Sequence, residues 1–256
     1  MMQYILSRTA RAIIHRLAHE RTLCAFDFDG TLSPIVAHPD RARMRERTLR
    51  LFERLASIYP CVVISGRLRA DVLRRLEGVK VAAVVGNHGA ESEQTTGGTH
   101  RRVRQWRNAL QRSLPLVDGL WIEDKGLSLA VHYRRCAGKV EVRRRIMNVA
   151  GSLPNVRIFA GKQVVNIVSD KAPHKGDVLA AERDRLGCSW VLYVGDDSND
   201  EDAFAVLGNI VPIRIGHKQK SHARYYLRNQ LEIDKLLEFL CRMRAGQENK
   251  LGTERN

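Results

Sequence analysis

Two acidic clusters mark this 256-residue sequence, each placed where a short apolar run ends. Leu23-Cys24-Ala25-Phe26 leads into Asp27-Phe28-Asp29-Gly30-Thr31. Trp190 to Val194 leads into Gly195-Asp196-Asp197-Ser198-Asn199-Asp200-Glu201-Asp202, which holds five carboxylates in the seven residues after the glycine. Carboxylates so close together repel, and a hard divalent cation such as Mg²⁺ is the natural group to hold them in place. A single DxD pair is usually a loop or a helix cap. Two such clusters in a chain of net charge +15 are not a product of composition.

Two more run ends add donors. Ser65-Gly66-Arg67 follows Cys61 to Ile64 and offers a hydroxyl, backbone N–H groups and a guanidinium suited to phosphoryl oxygens. Lys175-Gly176 precedes a helix-like stretch, and its ammonium can neutralise both a carboxylate and a phosphate. Each of these is commonly structural when it occurs alone. In this order, with both acidic clusters, they form a specific constellation.

The elements that must position these groups follow from the same pattern. Apolar runs of four or five residues suit strands buried on both faces. They alternate with helix-like stretches at 48–58, 71–76 and 176–186, which predicts a parallel α/β sheet. In such a sheet, ligand sites lie beyond the carboxyl ends of the strands, where the clusters stand. The first 19 residues intersperse Ile5, Ile13, Ile14 and Leu17 with arginines and predict an amphipathic helical extension. The core is expected over 20–97 and 171–243. Residues 98–170 break the rhythm with a basic helix-like stretch, an alternating strand, a second helix and another strand, and they read as a smaller α/β module inserted into the first. That module carries 14 basic and 5 acidic residues, enough to attract an anionic substrate or simply to form a solvated face. Residues 244–256 read as a frayed polar tail.

Composition excludes several classes. No run of 18 apolar residues predicts a membrane span, and the basic N-terminus lacks a secretory pattern. The five cysteines are scattered without a CxxC pair, as expected of free buried thiols in a reducing cytoplasm. No GxGxxG follows the first strand, so a dinucleotide site is not expected there. No nucleic-acid-binding signature accompanies the basic charge.

The order DxDGT…SGR…HKG…GDDxxDE resembles the four motifs of the haloacid dehalogenase (HAD) superfamily of phosphatases. It is most similar to the trehalose-6-phosphate phosphatase family. The stretches that carry the likeness are DFDGTLSPI at 27–35, SGR at 65–67, GNHGAE at 86–91, EDKGLSLAVHYR at 123–134, GKQVVN at 161–166, KG at 175–176 and GDDSNDEDAF at 195–204. The resemblance covers roughly residues 20–230. It implies a HAD-like Rossmannoid parallel-sheet core with an inserted α/β cap that closes over the site and recognises the sugar. It further implies Asp27 as nucleophile forming an aspartyl-phosphate and Asp29 as general acid/base. Ser65 and Lys175 would stabilise the transferring phosphoryl group. Mg²⁺ would be held by Asp27, the Asp29 carbonyl and Asp196, with Asp197 and Asp200 in support. Substrate contacts would come from Gly66, Arg67, His88, Glu123, Lys125, His132, Arg134, Lys162 and Asn166.

Two positions depart from the family pattern. Asn166 stands where the family usually has Glu, and Asn199 where it has Thr. An amide both donates and accepts where a carboxylate only accepts, so the first departure bears on which sugar is recognised. The expected activity is hydrolysis of trehalose 6-phosphate, the last step of trehalose biosynthesis, by a cytoplasmic monomer. Alternative substrates are glucosylglycerol phosphate, sucrose phosphate and mannosyl-phosphoglycerate. A distant alternative is an inactive scaffold that binds polyanions, whose binding would fall steeply with salt.

Overall fold

Strand β2 (Thr22–Phe26) is buried along its whole length, which requires cover on both faces. A computed structural model, which describes residues 2–93, 100–114, 116–161 and 163–253, supplies that cover. Before β2 come β1 (Gln3–Tyr4) and α1 (Arg11–His19). After it come α2 (Glu46–Ile58), β3 (Cys61–Ile64), α3 (Arg69–Arg75) and β4 (Ala83–Val85). Then follow α4 (His100–Ser113), β5 (Trp121–Asp124), β6 (Ser128–His132), α5 (Lys139–Gly151), β7 (Val156–Gly161) and β8 (Val164–Ser169). The chain closes with α6 (Lys175–Arg185), β9 (Trp190–Gly195), α7 (Glu201–Phe204), β10 (Ile210–Ile215), β11 (Tyr225–Leu227) and α8 (Ile233–Thr253).

Seven strands form one sheet in the order β1-β11-β10-β9-β2-β3-β4, with every pairing parallel. Side chains on each central strand alternate between two cores. Cys24, Phe26, Cys61, Val63, Leu192 and Val194 enter one with α1, α2 and α8. Leu23, Ala25, Val62, Ile64, Val191 and Tyr193 enter the other, with α6 and α7. This two-sided burial is why the runs are continuously apolar. All five cysteines are buried free thiols.

Residues 121–169 build a separate antiparallel sheet in the order β5-β6-β8-β7. Leu129, Val131, Val165 and Ile167 pack with Val103, Trp106 and Leu110 of α4 and Ile146 of α5 in a third core. The opposite face is polar. Register pairs Trp121 with His132, Glu123 with Ala130, Ala130 with Asn166 and Asn166 with Phe159. That face therefore carries Trp121, Glu123, Ser128, His132, Phe159 and Asn166.

Both chain ends differ from expectation. The 1–19 extension is not all helix: Gln3–Tyr4 pairs with β11 and shields the edge that β11 would otherwise expose. Helix appears only over Arg11–His19, with Ile14 and Leu17 fully buried. The 244–256 tail does not fray at 244, because α8 runs on to Thr253. Arg244 anchors it there by donating to the Ala18 carbonyl at 2.7 Å, beside the end of α1. The expected boundary at 97/98 lies outside the described residues. No helix among the described residues is long and apolar enough to cross a membrane.

Candidate active site

The candidate residues meet at the carboxyl ends of β2, β3, β4 and β9. Asp27 continues the ladder of β2, its N–H donating to the Val194 carbonyl at 2.9 Å. Gly30 then turns the chain with φ +85°, and a Cβ there would lie 2.3 Å from the Asp196 carboxylate. Only glycine lets the two acidic loops approach so closely.

Lys175, the first residue of α6, is 1% exposed. Its ammonium donates to Asp27 Oδ1 and to Asp200 Oδ1, both at 2.7 Å. Burial alone would lower its pKa, but the carboxylates of Asp200 and Asp27 outweigh burial and hold it above the ordinary lysine value. Asp27 is also pushed above its ordinary value. Burial raises its pKa, Lys175 opposes, and Asp200 and Asp196 add to the rise.

Oxygens of Asp27, Asp196 and Asp200 lie within 4.8 Å of one another. Three carboxylates around one ammonium leave negative charge uncompensated, and the all-oxygen donor set fits a hard divalent cation. Asp200 is already committed. Its Oδ1 accepts from Lys175 and Tyr193 Oη, and its Oδ2 from the backbone N–H groups of Asp196 and Asp197. It holds the acidic loop in shape. Asp197 lies outside the carboxylate group and caps the turn at Ser198–Asp200.

Ser65 follows β3 directly and is fully buried. Arg67 differs from its expected place on phosphoryl oxygens. Its Nε and Nη2 donate to the two oxygens of Asp29 at 2.6 and 2.7 Å. Its remaining bonds go to Asp71 and the Pro39 carbonyl. A guanidinium has five N–H donors, and four are engaged here. Arg67 therefore orients Asp29.

Beyond β4 the chain twists through two successive left-handed residues, Asn87 at φ +49° and His88 at φ +60°. Such conformations cost roughly 1–3 kcal/mol each in non-glycine residues and cluster at functional sites. Here they turn both side chains toward the small sheet. Asn87 accepts from Ser128 Oγ at 2.6 Å and donates to the Lys125 carbonyl. His88 packs edge-on against Phe159, with ring centroids 4.7 Å apart. Asn199 Nδ2 lies 3.1 Å from His88 Nδ1. Burial pushes the His88 pKa well below normal, Lys125 and Lys175 push it further, and Asn166 opposes them. The two family departures, Asn166 and Asn199, thus meet at one neutral imidazole.

The small sheet supplies the remaining groups. Lys125 donates to the Gly66 carbonyl at 2.9 Å. Glu123 lies 3.8 Å from Lys125 Nζ and 2.8 Å from His132 Nε2. Burial would raise Glu123, but His132 and Lys125 hold its carboxyl below the usual value. Arg134 is exposed in the turn after β6, and Lys162 lies outside the described residues.

Sequence reasoning passed over Tyr193 and Arg214. Arg214 is 8% exposed at the end of β10 and donates to the Asp196 and Asp197 carbonyls at 2.7 and 3.0 Å. It also pairs with Glu201 at 3.0 Å. The signal was a lone arginine in the otherwise apolar stretch Ile210-Val211-Pro212-Ile213-Arg214-Ile215.

This sheet order with its strand-end carboxylates is the fold of the HAD-type phosphatases. A phosphatase of the haloalkanoate (HAD) superfamily from Bacteroides thetaiotaomicron aligns at TM-score 0.62 and 13% identity, covering 87% of this chain and 96% of that one. The trehalose-6-phosphate phosphatase C-terminal domain of Candida albicans aligns at TM-score 0.74 and 20% identity, covering 94% and 98%. The family profile described as Trehalose-phosphatase matches residues 25–230. Trehalose-phosphate phosphatase of Mycobacterium tuberculosis H37Rv is 34% identical over 213 residues, 75% of this chain and 53% of that protein. The Mycobacterium leprae protein of the same name is 31% identical over 244 residues, 85% and 57%. The chain belongs to the trehalose-phosphatase family. It spans about half the length of the curated relatives it matches.

Proposed function

We propose that this protein is a Mg²⁺-dependent phosphatase that converts trehalose 6-phosphate to trehalose and phosphate. The observation that carries the reading is the buried Lys175 bridging Asp27 and Asp200 beside Asp196. That arrangement holds a carboxylate beside a buried ammonium in an acidic, strand-end site.

The steps assigned to the side chains are these. Asp27 attacks phosphorus, the P–O bond to the sugar breaks, and an aspartyl-phosphate forms. Asp29, having taken up a proton from solvent on the oxygen that Arg67 releases, gives that proton to the departing sugar oxygen. For this, one of the two Arg67 bonds to Asp29 yields to the leaving group. Asp29 then takes a proton from water, which attacks the acyl-phosphate and releases phosphate. Ser65 and Lys175 donate to phosphoryl oxygens as charge moves through them. Asp27, Asp196 and the Asp29 carbonyl would hold Mg²⁺, with Asp197 and Asp200 supporting the loop. The cation supplies charge neutralisation between an anionic nucleophile and an anionic substrate.

We assign residues 98–170 the part of a cap over this site. Glu123, Lys125 and Asn166 then face sugar hydroxyls, with His88, His132 and Arg134 around them. The interdomain bonds from Lys125 to Gly66 and from Ser198 Oγ to the Ala160 carbonyl are those of a closed arrangement. Asn166 is the observation that favours a second reading, a phosphatase of a related glycosyl phosphate. Phosphate release with Mg²⁺ from trehalose 6-phosphate, sucrose 6-phosphate, glucosylglycerol phosphate and glucose 6-phosphate separates the two. Trehalose 6-phosphate is expected to be preferred, and Asp27→Asn to lose turnover by about 10⁴-fold or more. Preference for another sugar phosphate would move the specificity assignment. No turnover of any would end the enzymatic reading.

A further inference from the structure

Trp121 opens the edge strand β5 and is 50% exposed. A large aromatic so placed contributes little to the core. Its indole lies flat on the His132 ring, with centroids 4.1 Å apart and an interplanar angle of 6°. His132 is fixed in turn by Glu123 at 2.8 Å. Glu123 neighbours Lys125, Lys125 bonds the Gly66 carbonyl, and Arg67 beyond it grips Asp29. One continuous line of contacts therefore joins Asp29 to Trp121. The indole belongs to the polar face of the small sheet with Glu123, Ser128 and Asn166, not to the face covered by α4 and α5.

We propose that Trp121, backed by His132, is a stacking platform for a pyranose ring, the ring farther from the phosphate in a disaccharide phosphate. The proposal rests on the phosphatase reading above. A sugar whose hydroxyls are equatorial presents a face of C–H groups, and these meet the electron-rich face of an indole. Because His132 holds the indole in one orientation, little rotamer freedom is lost on binding. The position along the strand fits the outer ring. Asp29 must reach the leaving oxygen, so the phosphorylated ring lies against Lys125 and Glu123. Trp121 stands two residues, about 7 Å, further along β5. Both edges of the sugar are then served: the hydroxyls by Glu123, and the C–H face by Trp121.

The test compares Trp121→Ala and Trp121→Phe with the wild-type protein on trehalose 6-phosphate and on glucose 6-phosphate, which lacks the outer ring. Trp121→Ala is expected to raise KM for trehalose 6-phosphate about tenfold, with a much smaller loss of kcat/KM on glucose 6-phosphate, and Trp121→Phe to recover most of it. Equal losses on both substrates overturn the platform. Tryptophan emission titrated with trehalose gives an arm independent of turnover. If the wild type does not hydrolyse trehalose 6-phosphate, the functional reading falls, and the emission decides the platform. A response to trehalose that disappears in Trp121→Phe then upholds it, and no such response overturns it.

Discussion

The carboxylate cluster at the ends of β2 and β9 and the polar face of the small sheet differ in how their groups are held. In the cluster, Asp200 receives four donors and is fully buried, and Lys175 lies between two carboxylates. On the small sheet, Glu123, His132 and Trp121 touch one another along a partly open edge. The contrast follows from the cost of burial. A charge removed from water needs a fixed partner on every lone pair, whereas neutral hydroxyls are recognised by groups that stay partly solvated. The cluster is closed around its charges, whereas the sheet face stays partly open to solvent.

Three substitutions test this contrast, in order of expected effect. Lys175→Met leaves Asp27 and Asp200 buried without their ammonium, and is expected to cost about 3–5 kcal/mol of stability. Urea denaturation with and without Mg²⁺ reads this, with part of the loss recovered by the cation. An unchanged midpoint would mean that the cluster does not depend on its internal charge. Arg214→Met frees the Asp196 and Asp197 carbonyls and should weaken Mg²⁺ binding by about 10–100-fold. The readout is the Mg²⁺ concentration needed to raise Tm, and an unshifted curve would show that the loop is held without Arg214.

Asn166→Glu has the smallest effect and sits at the boundary between the two regions. His88 is held neutral, its pKa below that of an unfolded histidine, so the unfolded chain binds the extra proton first. Stability is therefore lost as pH falls from about 6.5 toward the lowered value of the folded state. A carboxylate at 166 favours the imidazolium and should raise the His88 pKa, bringing back some acid stability. Histidine NMR resonances followed through a pH titration would show the rise. A fall, or no change, would remove Asn166 from the His88 environment.

The cluster was legible in the sequence because its constraints are local. A DxD turn after an apolar run and five carboxylates in one loop are visible as spacing. Two-sided burial writes continuous apolar runs, so the parallel sheet was legible too. The partners across elements were not. Nothing near Arg67 in sequence reveals that its guanidinium turns to Asp29 instead of to phosphate. Arg214 serves a loop that precedes it by a strand. Trp121 gains meaning only when register sets it opposite His132. The edge strand at Gln3–Tyr4 was read as part of a helix because two residues carry no periodicity, and its partner comes more than two hundred residues later.

The pairing of β2 with β9 also bears on the order in which the chain assembles. These neighbours are separated in sequence by the whole small sheet with its two helices. Closing so long a loop is an entropic obstacle to early pairing, although it grows only slowly with length. The small sheet has its own apolar core and can become compact before β9 arrives, which shortens the chain that must be spanned. Until then Asp27 has neither Lys175 nor Asp196 beside it. The buried charges around Asp27 are therefore complete only once segments from both sides of the small sheet have come together.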